Sequence, residues 1–129
     1  AEDWPRADVN PYPFEHRTTL RVIPGPRADR FTDDALDLLL AQPWTVRTDS
    51  DRVGMNLQGA EPLSRSREDE LPSEGMVTGA LQVPPSGLPV LFLVDHPVTG
   101  GYPVIAVVAS ADLGSAAQCA PGQTIRFSV

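Results

Sequence analysis

Apolar and polar positions alternate with a period of two through much of the chain. Residues 18–23 (TTLRVI), 44–48 (WTVRT) and 124–129 (TIRFSV) follow this rhythm, and Val53, Met55 and Leu57 alternate with Gly54, Asn56 and Gln58. That period puts successive side chains on opposite faces, so each segment reads as a half-buried strand. The longer apolar runs at 76–83, 89–94 and 102–109 are rich in Val, Leu, Ile and Phe. Their length and their Pro- and Gly-rich borders, Pro84-Pro85-Ser86-Gly87 and 95–101, predict buried strands rather than helices.

Helical spacing occurs twice. Thr32 is expected to cap a helix with Asp33 and Asp34 in its first turn, Leu36, Leu39 and Leu40 as the apolar stripe, Asp37 facing solvent and Pro43 as the stop. Residues 112–118 predict a second short helix with Leu113 inward. Pro24-Gly25-Pro26 and Asp49-Ser50-Asp51 predict tight turns, because Pro presets φ and short polar side chains bond their own backbone. About seven or eight short strands with two short helices match a closed β-barrel capped by helices, which leaves no open sheet edge.

Two segments fall outside this rhythm. Residues 1–17 are Pro-rich with scattered charges and read as an extended arm or linker, with Trp4, Tyr12 and Phe14 as anchors, ahead of a barrel domain at 18–129. Residues 59–72, which include Arg65 and Arg67, have no periodicity and read as a long loop suited to a lid or a partner contact.

Composition narrows the chemistry. The chain of 129 residues suits one domain, and 41% hydrophobic residues suit a folded core. A net charge of -7 disfavours nucleic acid. There is no Lys, which excludes a P-loop lysine, a Schiff-base lysine, a Ser–Lys pair and a biotinyl-lysine acceptor. Cys119 is the only cysteine, so no intrachain disulfide forms; this fits a reducing, cytoplasmic compartment and a small buried thiol. His16 and His96 without paired spacing make a metal site improbable. No run approaches a membrane span and the first residues do not read as a signal peptide, while the absence of an initiator Met suggests a fragment or a processed product.

Polar groups able to do chemistry gather at the ends of the central strands: Ser73, Glu74, Gln82, Asp95, His96, Thr99 and Tyr102. Loops on a rigid strand scaffold are the usual place for a site.

Several stretches resemble one family. Leu20-Arg21-Val22-Ile23-Pro24-Gly25-Pro26 with Phe31, and Ser50-Asp51-Arg52-Val53-Gly54-Met55-Asn56-Leu57-Gln58-Gly59, are similar to its opening and central blocks. Ser73-Glu74-Gly75, the run Gly79-Ala80-Leu81-Gln82-Val83-Pro84-Pro85-Ser86-Gly87, and Thr99-Gly100-Gly101-Tyr102-Pro103 complete the series. Together, over residues 18–129, they resemble the C-terminal part of the biotin-dependent carboxyltransferase family. Its members include the C-type chain of bacterial 5-oxoprolinase, also called allophanate hydrolase subunit 2, and the antagonist of a sporulation-kinase inhibitor.

The resemblance implies a mainly β, cyclophilin-like closed barrel. It also implies a role in a heteromeric hydrolase, with ATP-dependent opening of 5-oxoproline to glutamate, or in a related carboxyl transfer to urea. The implied partners are a B-type family chain and a companion N-terminal region, with no covalently bound cofactor in this chain and ATP serving the assembly. Glu74, Asp95 and His96 are the implied catalytic groups, and Ser73, Gln82, Thr99, Gly100, Gly101, Tyr102 and Arg52 the implied substrate-binding groups. The chain departs from the family at Asp95-His96-Pro97-Val98, at Val104 after Tyr102-Pro103, and at Met55. An alternative reading is a regulatory binding protein that engages a B-type kinase inhibitor.

Overall fold

The computed structural model describes residues 17–25, 31–32, 34–64 and 74–129. Residues 1–16 of the arm expected at 1–17, residues 65–72 of the loop expected at 59–72, Asp33 and Ser73 lie outside the described residues, and Arg17 opens the first strand rather than ending the arm. No helix among the described residues is long and apolar enough to cross a membrane.

The alternating segments form strands as expected: β1 (Arg17–Pro24), β2 (Trp44–Val46), β3 (Gly54–Gln58) and β9 (Thr124–Ser128). The apolar runs contribute β5 (Ala80–Gln82), β6 (Val90–Phe92) and β8 (Val104–Val108), and two-residue strands stand at β4 (Glu74–Gly75) and β7 (Thr99–Gly100). Strands close into a barrel in the order β1-β8-β5-β6-β3-β2-β9, and β4 pairs with β7 as a separate ribbon.

Closure comes from an unexpected parallel pairing of β1 with β9, Arg17 opposite Thr124 through Arg21 opposite Ser128. The remaining barrel neighbours pair antiparallel. Leu20, Trp44, Leu57, Leu81, Leu91 and Ile125 are fully buried in the barrel. Each such side chain contributes about 1.5–3 kcal/mol by leaving water. Between β5 and β8 the register slips, Leu81 facing Ala106 but Gln82 facing Val104, so one extra residue of β8 bulges and sharpens the local twist.

Helix α1 (Ala35–Ala41) closes one side, with Ala35 and Leu39 buried. It starts later than Thr32 capping would require. The Thr32 hydroxyl donates to Asp34 Oδ1 at 3.0 Å, and Asp34 takes the N-cap position without a side-chain cap bond. Leu36 and Leu40 pack only partly, Asp37 is exposed, and the chain turns out at Gln42 before Pro43. Trp44 secures the helix end: its Nε1 donates to the Leu39 carbonyl at 3.0 Å, satisfying an orphan carbonyl of the last turn.

A 3₁₀ turn (Ser110–Asp112) leads into α2 (Leu113–Ala117). Ala116 is the buried residue of α2, and Leu113, expected inward, is only partly so. Val53, expected on the inner face, is exposed because β3 starts one residue later. The backbone N–H of Val53 is held instead by Asp51 Oδ1 at 2.9 Å.

Candidate functional site

All three residues of β5 are buried, so both faces of this strand are covered. Leu81 points to the core, and its neighbours project to the other face. The β4–β7 ribbon lies against Gln82 on that face: Glu74 pairs with Gly100, Gly75 pairs with Thr99, and Met76 N–H donates to the Val98 carbonyl at 2.9 Å. A Cβ on Gly100 would stand 2.6 Å from Gln82 Nε2 and 3.1 Å from Met76 Sδ, so only glycine fits there without displacing them. Tyr102 is partly buried and Pro103 fully buried just beyond, where Val83 N–H donates to the Pro103 carbonyl at 2.9 Å.

Gln82 is 8% exposed and makes no side-chain hydrogen bond to any described residue. Its carboxamide can donate two hydrogen bonds and accept two. Leaving such a group buried and unmet costs about 1–3 kcal/mol. The group is complementary to an amide or lactam, which offers one N–H and one carbonyl.

A second cluster stands at the other end of β6. Gln82 pairs with Val90, whereas Phe92 pairs with Gly54 and leads into the turn that carries Asp95 and His96. There Asp95 N–H donates to the Arg52 carbonyl at 3.2 Å, and Arg52 Nε lies 3.4 Å from Asp95 Oδ2. The His96 ring leans on Phe92 with centroids 6.1 Å apart, and Nδ1 stands 2.5 Å from the Pro97 carbonyl. A carbonyl only accepts, so Nδ1 carries the proton, and in the neutral ring Nε2 is the acceptor.

The residues singled out in the sequence therefore divide. The backbone of Glu74 joins Gln82, Thr99 and Gly100 at the ribbon, with Gly101 and Tyr102 following on. Arg52, Asp95 and His96 gather at the barrel end.

Two adjoining cavities open at that end, and sequence reasoning missed them. One of 460 Å³ is lined by Arg52, Thr78, Leu93, Val94, Leu113 and Ala117. The other, of 310 Å³, shares Arg52, Leu93 and Ala117 and extends to Met55, Cys119 and Pro121. Cys119 is partly buried, and burial pushes its thiol pKa up, which suits the expected packing role rather than a nucleophile. The only signal in the sequence was the short helical pattern around Leu113, which does not reveal that α2 stops short of filling the end.

No group of His, Cys, Asp and Glu able to hold a metal is present among the described residues. The arginines whose side chains are described do not converge on a triphosphate. Arg21 pairs with Asp112 at 3.1 Å, Arg47 with Asp49 at 3.2 Å and Arg52 with Asp95, while Arg126 donates to the Ala41 carbonyl. These residues do not fit ATP.

Residues 1–129 match the carboxyltransferase domain, subdomain A and B. This chain belongs to that family. The carboxyltransferase-domain chain is 36% identical over 122 residues to the 5-oxoprolinase C subunit of Haemophilus influenzae, covering 95% of this chain and 39% of that protein. It is 39% identical over 108 residues to the 5-oxoprolinase C subunit of Escherichia coli, covering 84% and 34% respectively. The chain thus spans little more than a third of the length of these curated relatives. A crystal structure of TTHA0988 superposes with a TM-score of 0.75 at 37% identity, covering 96% of this chain and 23% of that one. The K. lactis urea amidolyase superposes with a TM-score of 0.82 at 27% identity, covering 89% and 8%. The closed barrel with two short helices is therefore the fold of a carboxyltransferase-family domain.

Proposed function

We propose that this chain is the C-terminal portion of a protein of the 5-oxoprolinase C type, working in a cytoplasmic assembly with a B-type partner chain and a companion N-terminal region. The reaction is hydrolysis of the lactam amide: water adds to the ring carbonyl, the C–N bond breaks, the ring nitrogen takes a proton, and glutamate is released at the expense of ATP. The observation that carries this reading is the identity of 36% and 39% to two 5-oxoprolinase C subunits across most of the chain.

Within this reading, the Gln82 carboxamide meets the lactam N–H and carbonyl, Glu74 is the general base, and Ser73, Thr99 and Tyr102 offer hydroxyls to the substrate carboxylate. The glycines at 100 and 101 let the backbone approach. Asp95 and His96 stand at the other end of β6, apart from this group. Partner chains hold the ATP phosphates, since this chain has no Lys.

Reconstitution tests the proposal. The complete C-type protein that includes this chain, a B-type partner and ATP are combined, and glutamate release from 5-oxoproline is followed. ATP-dependent release that requires this chain, and that falls with Glu74→Ala in a folded protein, is the expected result. A tight complex with no turnover on 5-oxoproline, or wild-type turnover in Glu74→Ala, overturns it.

A further inference from the structure

We propose that the groove at the α2 end of the barrel binds a small organic monocarboxylate with an apolar body, its carboxylate gripped by Arg52. The two adjoining cavities share Arg52, Leu93 and Ala117 and form one groove. The larger, at 460 Å³, falls in the range of small-molecule sites, about 300–1,000 Å³. Its walls are Leu93, Val94, Leu113 and Ala117, with the Thr78 side chain as a neutral polar group, so an occupant needs apolar surface to match.

Charge selects the rest of the occupant. Among the described residues, Arg52 is the only cation lining either cavity. Its side chain is 88% exposed and holds a single contact to the described residues, Nε to Asp95 Oδ2 at 3.4 Å, which leaves both terminal nitrogens open to a ligand. That pair of nitrogens matches the two oxygens of a carboxylate. Asp95 beside it offsets part of its charge and disfavours a dianion. The other acidic residue on the groove, Asp51, turns Oδ1 to the backbone, where it accepts from the N–H groups of Val53 at 2.9 Å and Gly54 at 3.1 Å. These bonds also hold the turn that presents Arg52, whose own carbonyl accepts from Asp95 N–H at 3.2 Å. On α2, Gly114 lines the groove, and a Cβ there would meet nothing within 4 Å.

The groove is independent of the lactam-binding role proposed for Gln82, which stands at the other end of β6. Its test needs binding alone. 4-Phenylbutyrate is titrated into the isotopically labelled 129-residue chain, followed by amide chemical shifts and calorimetry, with 4-phenylbutan-1-ol as the neutral control. The expected result is saturable shifts at Leu93, Val94, Leu113 and Ala117. Arg52→Met should weaken the acid about tenfold or more without changing the alcohol, as loss of a charge-assisted pair requires. Gly114→Leu, which fills the groove and favours the helix, should abolish acid binding while keeping Arg52. Absence of saturable shifts, equal acid affinity in Arg52→Met, or undiminished binding to Gly114→Leu overturns the proposal.

Discussion

The buried polar side chains of the described residues are two glutamines, each 8% exposed, and they live in opposite circumstances. Gln42, at the end of α1, spends its amide on structure: Nε2 donates to the Glu61 carbonyl at 2.7 Å and Oε1 accepts from Glu61 N–H at 3.2 Å. It clamps the loop after β3, where Gly59 packs so closely on Trp44 that a Cβ would stand 2.6 Å from the indole ring. Gln82, under the β4–β7 ribbon, is equally buried and bonded to no described residue. An amide satisfied by backbone belongs to the fold. One bonded to no described residue keeps its donors and acceptors for a ligand.

Replacing each amide with methionine, which matches its length and flexibility, separates the two roles most sharply. Gln82→Met should lower turnover of the reconstituted assembly about 100-fold, the scale of losing a positioned donor at a reacting carbonyl. The same change should leave stability equal or higher, since an unmet amide is removed. A folded variant with unchanged turnover would place Gln82 among packing residues. Gln42→Met should do the reverse, costing about 1–3 kcal/mol in denaturant unfolding by stranding both Glu61 backbone groups, with turnover per folded molecule preserved.

Gly100→Ala sharpens the comparison from the ribbon side. The added methyl meets the ends of the Gln82 and Met76 side chains, both able to give, so a loss of about 1 kcal/mol is expected by urea titration. Turnover should fall more than that loss explains, because the Gln82 amide is pushed from its position. Gly87→Ala makes a useful contrast: its φ of +80° and the Leu63 carbonyl 2.5 Å from the new Cβ affect backbone rather than side chains. That variant should lose stability with no separate effect on chemistry.

The smallest effect concerns an exposed pair. Hydrogen bonds from the Arg21 side chain and backbone hold the Asp112 carboxyl below its ordinary pKa. A depressed carboxylate contributes stability that is present above its unfolded pKa and is lost as pH falls through the lower folded value. Wild type and Asp112→Asn should therefore differ slightly at neutral pH and converge in strong acid. A gap that persists unchanged into strong acid in thermal melts would contradict the pairing.

How much of this was legible in the sequence follows from the range of each interaction. Alternation placed β1, β2, β3 and β9, because side-chain direction repeats every two residues and burial writes that repeat into local order. Asp49-Ser50-Asp51 was legible as a turn for the same reason, its bonds reaching only two to seven residues away. The start of α1 was not legible at Thr32, because its backbone is held from thirty-two residues away, its N–H donating to the Ser64 carbonyl at 3.2 Å.

Local order along the chain encodes a barrel-forming set of strands, the turns between them, a lysine-free chemistry and a family. Tertiary structure alone decided the rest. β1 closes on β9 through residues at opposite ends of the chain, and two-residue strands such as β4 and β7 carry no period to read. Nor does composition distinguish Gln42 from Gln82: both are glutamines beside apolar residues, and their difference is whether a distant backbone arrives to meet the amide. That arrival depends on long-range packing, which local sequence does not encode.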